Sequence, residues 1–188
     1  MQQVIIVTGP PSAGKSSVAT AICERFDRMV HIDVDTLRHM VRAGYRHPWV
    51  GDQQAEEQLH MAVRNAAAMA RECVNTRYAV VIDDVVPPDA ARAYAEALTG
   101  IDANIHLVTL LPTLGATLDR DAARSPDQQL PDRIRALHAE FTRWVRDSLQ
   151  PGGILDTSHD PNASATADRV QDAVASGKAL LVGVTATT

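Results

Sequence analysis

The chain has 188 residues, of which 45 % are hydrophobic and 22 % charged, with a net charge of −5. That length gives one domain with a real core, and the composition excludes a disordered chain. An acidic balance with no basic stripe argues against tight, sequence-independent nucleic-acid binding, and no apolar run approaches the roughly 18 residues that span a bilayer.

Strands and helices alternate, the order that builds a parallel sheet with helices on both faces. Residues 3–8, "QVIIVT", read as a first strand after a start with no basic leader, and 15–26 as a helix with Val18, Ile22 and Phe26 at helical spacing. "MVHID" at 29–33 is a second strand, and "TLRHMVRAG" at 36–44 a helix closed by Gly44. The loop "YRHPWVGD" at 45–52 leads into a long helix over 53–75, with Leu59, Val63, Ala66, Ala70 and Cys73 on one face. "YAVVIDD" at 78–84 is apolar almost throughout, as a central parallel strand is. A helix over 87–100 has Pro near its start and Gly at its end. Then come a fourth strand at 104–111, a helix at 113–124, a polar linker at 125–131 and a helix at 132–149. "GILDTS" at 153–158 is a fifth strand and a turn, and a last helix covers 162–176. The tail "GKALLVGVTATT" reads as an edge strand or a partly ordered terminus. No repeat divides the chain, so residues 1–188 are expected to form one domain. Cys23 and Cys73 fall on helices without a CxxC, which points to buried free thiols and a reducing, cytoplasmic setting.

Residues 9–16, "GPPSAGKS", fit G-x-x-x-x-G-K-[ST] at every fixed position, between a strand and a helix. Gly9 and Gly14 let the backbone wrap closely around an anion. The N–H groups of Ser12, Ala13, Gly14 and the first helical turn, Lys15 to Ser17, would then point at phosphates. Lys15 would reach the β and γ oxygens and the Ser16 hydroxyl would ligate Mg²⁺. Lysine occurs only at 15 and 178, against sixteen arginines, so its use here stands out. The expected ligands are ATP, or another nucleoside triphosphate, and Mg²⁺.

In such a sheet, ligands gather beyond the C-terminal ends of the strands. Asp83 and Asp84 close the third strand, and an acid after "AVVI" suits a Mg²⁺ site; both remain candidates for it. Asp33 and Asp35 follow the second strand. Asp35 is the candidate general base, accepting the proton of an attacking hydroxyl, and it is also a natural N-cap for the helix that follows. Arg38, three residues on, shares its face. Two readings stand for Arg38: it holds the acceptor or the transferring phosphoryl group, or it pairs with Asp35 at the surface. Arg120 and Arg124 share a face of the helix after strand four, just before the polar linker, where a mobile cover would bring cations to the phosphates and expel water. The other reading pairs them with Asp121 or nearby acids. Tyr45, His47 and Trp49 either line an acceptor pocket or pack their loop on the long helix. Histidine spacing gives no zinc site.

Together, "GPPSAGKSS", "DVDTLR", "VVIDD", the R-x-x-x-R helix and "LDTS" resemble the small P-loop kinases, in particular the chloramphenicol phosphotransferase-like proteins and the polynucleotide 5′-kinases. The resemblance covers most of residues 1–176. It implies an α/β three-layer sandwich of about five parallel strands, with a helical lid over roughly 113–135. It also implies Asp35 as general base, Arg38 as the arginine of the polynucleotide kinases, and Asp156 and Thr157 beside the adenine. A plain Asx turn is the other reading of "DTS". The expected activity is ATP- and Mg²⁺-dependent transfer of the γ-phosphate to a hydroxyl of a small molecule, an antibiotic or other natural product, by a monomer or homodimer. The alternatives are a polynucleotide or nucleoside 5′-hydroxyl kinase, disfavoured by the acidic charge and an aromatic content of 4 %, and a nucleotide-dependent switch or ATPase acting on a protein partner.

Overall fold

A computed structural model describes residues 2–147 and 153–183. The first strand, β1 (Gln3–Thr8), is apolar at successive positions because both its faces are covered. Val4 and Ile6 pack with α3 (Gln53–Asn75) and α4 (Pro88–Ala97). Ile5 and Val7 pack with α1 (Lys15–Cys23) and α7 (Ala163–Ala175). The period of two along the strand thus divides the core into two layers, one on each face of the sheet.

Strands β2 (Met29–Asp33), β3 (Ala79–Asp83), β4 (Asn104–Leu110) and β5 (Gly153–Leu155) complete a parallel set in the order β2-β3-β1-β4-β5. The expected five parallel strands are all present. The tail adds a sixth, β6 (Leu180–Val182), antiparallel to β4. β5 takes the C-terminal half of the outer edge of β4, at Val108–Leu110, and β6 the N-terminal half, at Ile105–His106. The short β5 leaves that half open.

The helix after β2 is shorter than its apolar pattern predicts. α2 spans Val34–His39 rather than 36–44. Asp33, not Asp35, caps it: the Asp33 carboxylate accepts from the N–H of Asp35 at 3.0 Å and of Thr36 at 3.3 Å, and from the Thr36 hydroxyl at 2.8 Å. Gly44 closes no helix. Its carbonyl accepts from the Gln54 and Gln58 side chains at 2.9 and 2.7 Å, so α3 pins the loop and competes with a longer α2. Cys23 and Cys73 are free, as expected, but half-buried rather than buried.

The remaining helices are α5 (Leu114–Ala122) and α6 (Pro131–Asp147), with single 3₁₀ turns at Pro48–Val50 and Pro126–Gln128. Among the described residues no helix is long and apolar enough to cross a membrane. Where β1 ends, Gly9 approaches the backbone of β4. A Cβ there would lie 2.3 Å from the carbonyl oxygen of Leu110, at φ +152°. Gly9→Ala is expected to destabilise the fold by about 1–3 kcal/mol, read as a lower denaturant midpoint. A midpoint equal to the parent's would contradict that close approach.

Candidate active site

The turn from β1 to α1 leaves the sheet at its centre. Ser12 and Gly14 have φ of +61° and +95°, so successive N–H groups turn toward a common point. Gly14 is the N-cap of α1 and offers no capping side chain, which leaves the first-turn N–H groups for an anion. The Lys15 ammonium donates to the Pro10 carbonyl at 3.3 Å. Burial lowers its pKa, with Asp83, Asp35 and Asp84 opposing the shift and Arg124 adding to it. A bound triphosphate favours the charged amine. Binding of a Mg·nucleoside triphosphate is therefore expected to take up a proton at alkaline pH, in the window below the ordinary lysine value, and to weaken as pH rises through it. Calorimetry in buffers of different ionisation enthalpy reads this uptake, and heats identical across those buffers would contradict it.

Asp83 and Asp84 point different ways, because side chains alternate along a strand. Asp83 is buried, with His31 Nε2 3.8 Å away. Burial alone would raise its pKa, but the nearby His31 imidazole, the Lys15 charge and the Ser16 hydroxyl bring it below the usual carboxylate value. It is thus held as a carboxylate beside the residues of the GKS turn. Asp84 lies under α2. Its oxygens accept from Arg38 Nη2 at 2.6 Å, the Tyr94 hydroxyl at 2.9 Å and the Val85 N–H at 2.8 Å. Burial still pushes the Asp84 carboxyl up against these donors.

Arg38 is the other half of that arrangement. Its side chain is only 7 % exposed, and Nη1 donates to Asp35 Oδ1 at 2.8 Å. The expected Arg38–Asp35 pair exists, but it is rooted in the core rather than lying on the surface. Asp35 itself is 67 % exposed at its side chain and faces the cleft. A chain of polar contacts, Tyr94–Asp84–Arg38–Asp35, therefore runs from a fully buried hydroxyl to a solvent-facing carboxylate.

Arg120 and Arg124 serve different ends. Arg120 donates to the carbonyls of Ala13 at 3.1 Å and Thr157 at 2.6 Å, tying the glycine-rich turn to the turn after β5. Arg124 lines the cleft near Lys15. Among the described residues its guanidinium makes no hydrogen bond or ion pair. Neither arginine pairs with Asp121. That buried carboxylate instead accepts from the Ser12 hydroxyl at 3.1 Å and the Leu130 N–H at 3.0 Å, joining the turn to the start of α6.

Apart from His31, Asp84, Tyr94 and Asp121, which lie behind it, these groups line one cleft of about 800 Å³. Ser12 to Ser17, with Arg120 and Arg124, form its middle, and Asp83, Asp35 and Arg38 its β2–β3 side. Its β5 side is made by Asp160, Pro161, Asn162 and Ala163. Asp156 and Thr157 do not line it. Asp156 closes an Asx turn, accepting from the Ser158 N–H at 2.9 Å, and Thr157 is buried beneath Arg120. Trp49 lines the cleft; His47 stacks on it with centroids 4.3 Å apart, and Tyr45 meets His47 edge-on. The residues present suit a Mg·nucleoside triphosphate: an N–H-lined turn, an ammonium, a hydroxyl and a buried carboxylate converge there. Among the described residues no three His, Cys, Asp or Glu side chains gather as a metal site, so protein oxygens alone would make an incomplete shell.

A family model, the AAA domain, matches residues 4–147. The chain belongs to the AAA domain family. Among solved structures, this AAA domain is similar to the Mycobacterium tuberculosis APS kinase in complex with AMPPNP and APS, with 16 % identity and a TM-score of 0.68 over 93 % of this chain and 98 % of the other. The Deinococcus radiodurans tunicamycin resistance protein gives 16 % identity and a TM-score of 0.67, over 97 % and 100 %. The Pnkp1/Rnl/Hen1 RNA repair complex gives 17 % and 0.59, over 78 % of this chain and 46 % of the other. No curated protein matches it. At such identities the likeness is one of fold, and the fold is that of the small P-loop kinases.

Several residues of the AAA domain's cleft carry no motif. Arg133, Leu137, Glu140 and Trp144 line it from α6, and Leu130 from just before that helix. Positions 133, 137, 140 and 144 recur every three to four residues, the spacing of one helix face, but nothing local says whether that face meets the core or a ligand. Tyr94 and Asp121 reach the site through contacts distant in sequence, which no spacing rule detects.

Proposed function

We propose that this AAA domain is an ATP- and Mg²⁺-dependent kinase that transfers the γ-phosphate to a hydroxyl of a small molecule, with Asp35 as general base. One observation carries the reading: the Asp35 carboxylate, held by Arg38, lines the same cleft as Lys15, Ser16 and Asp83. A switch protein has no need of a solvent-facing carboxylate held there by a buried network.

The glycine-rich turn and the first N–H groups of α1 bind the phosphates, and Lys15 holds the β and γ oxygens. Ser16 and Asp83 would hold Mg²⁺, which would neutralise charge on the β and γ oxygens. Asp84 is not the metal ligand in this reading, because its oxygens are occupied by Arg38, Tyr94 and Val85. Asp35 orients the acceptor O–H and takes its proton as the new P–O bond forms and the bond to the β-phosphate oxygen breaks, releasing ADP. Arg124 supplies positive charge to the transferring group. The segment of α5, the linker and the start of α6 acts as the lid, and Arg120 and Asp121 couple it to the turn it covers.

A labelled-phosphate assay tests the proposal by offering small hydroxyl compounds, a 5′-hydroxyl oligonucleotide and water side by side. Transfer to a small alcohol that depends on Asp35 is expected. Transfer to the oligonucleotide alone would move the acceptor class to nucleic acid. Steady hydrolysis indifferent to any alcohol would point to a switch or ATPase.

A further inference from the structure

The acceptor end of the cleft has a distinct chemistry. The chain has only two tryptophans, and both line the cleft. Trp49 projects from the 3₁₀ turn that follows α2 and is 52 % exposed, in a chain where large apolar side chains are mostly buried. Trp144, half-buried, ends the cleft-lining stripe of α6, and Leu130, just before that helix, is 43 % exposed. Leu59 of α3 and Pro87, at the start of α4, also line the cleft. The two sides meet where the Arg133 guanidinium lies 5.4 Å from the Trp49 ring centroid.

Charge on this wall is balanced rather than basic. Its carboxylates are Asp35 and Glu140, and its cations Arg38 and Arg133. Arg38 is already bound to Asp35 and Asp84, so an incoming anion would meet Arg133 on this wall and Arg124 beside Lys15 in the middle of the cleft. A phosphodiester strand needs a row of cations along its backbone, and this wall does not offer one. The exposed Trp49 ring, with His47 on one face, and the half-buried Trp144 with its apolar neighbours instead favour a flat, weakly solvated body, which packs against them and leaves water.

We infer that the acceptor is an alcohol carried on a planar, apolar, non-anionic body, seated between Trp49 and the inward stripe of α6 with its hydroxyl at Asp35. This rests on the kinase reading for what happens to the hydroxyl, but not for the binding. Both tryptophans report directly on the seat, so emission of the intact protein is titrated with cinnamyl alcohol, with glucose and with a 5′-hydroxyl oligothymidylate. Cinnamyl alcohol is expected to saturate the change at a concentration at least about tenfold below glucose, with the oligonucleotide weaker than cinnamyl alcohol. Trp49→Ala, at an exposed position, is expected to raise the cinnamyl alcohol half-saturation about tenfold with an unaltered far-ultraviolet spectrum; Trp144 remains as the reporter. Glucose or the oligonucleotide binding as well as cinnamyl alcohol, or a Trp49→Ala protein that binds cinnamyl alcohol as the parent does, would overturn the inference. Because emission needs no turnover, these failures are read separately from failure of the kinase reading, which appears as absent phosphate transfer to every alcohol offered.

Discussion

Asp35→Asn is expected to slow phosphate transfer by about 10²–10⁴-fold while Mg·ATP affinity stays within about twofold. Asparagine fills the same space and its carbonyl still accepts from Arg38, now 2.8 Å from Asp35 Oδ1, so the α2 end keeps its shape. What is lost is the capacity to take a proton. The position is solvent-facing, so the change leaves no buried group unsatisfied and stability is expected to hold. Single-turnover transfer measured beside nucleotide calorimetry separates the two effects. Loss of nucleotide affinity as large as the loss of rate would mean that Asp35 serves the triphosphate. Unchanged turnover would mean that no base is needed and that the cleft hydrolyses or merely binds nucleotide.

The second large effect is on the fold. Asp84→Ala leaves the Arg38 guanidinium buried at 7 % exposure, with Asp35 as its one remaining charge partner, and strips the acceptor from the buried Tyr94 hydroxyl. Breaking a buried pair from one side costs about 3–5 kcal/mol, so the variant is expected to lose a large part of its stability. Tyr94→Phe keeps the ring and removes one donor, and about 1 kcal/mol is expected. Denaturant unfolding of the two variants measures the ratio. If Asp84→Ala were no worse than Tyr94→Phe, the ion pair with Arg38 would contribute little and Asp35 would need another explanation for its position. Tyr94→Phe also probes function, because the network ends on Asp35. A fall in transfer rate without a change in nucleotide affinity is the expected mark of a loosened base.

The parts of this protein legible in its sequence are those fixed by local chemistry. A strand, a glycine-bounded turn, a lysine and a helix specify the phosphate-binding turn, because each element is dictated by residues within ten positions of Gly9. The parallel strands are legible because apolar runs covered on both faces leave a continuous signature. The extent of α2 was not, since Asp33 and Asp35 are both good caps and the choice turns on which carboxylate Arg38 holds. Nor could Arg38 be read as buried. Charged side chains are usually exposed, and only the pairing of β2 with β3, which sets Asp33 beside Asp83, brings Asp84 under α2. Arg120 and Arg124 look equivalent on a helical wheel. They part because α5 ends at Ala122 rather than 124, which leaves Arg124 beyond the helix, while Arg120 on it reaches the Ala13 and Thr157 carbonyls.

A crystal structure with Mg²⁺ and a non-hydrolysable ATP analogue is the most direct test. The triphosphate should lie under the turn from Gly9 to Ser16, with the Asp35 carboxylate facing the terminal phosphorus from the far wall and room between them for a single hydroxyl oxygen. A terminal phosphate turned away from Asp35, or bound outside that turn, would contradict the account.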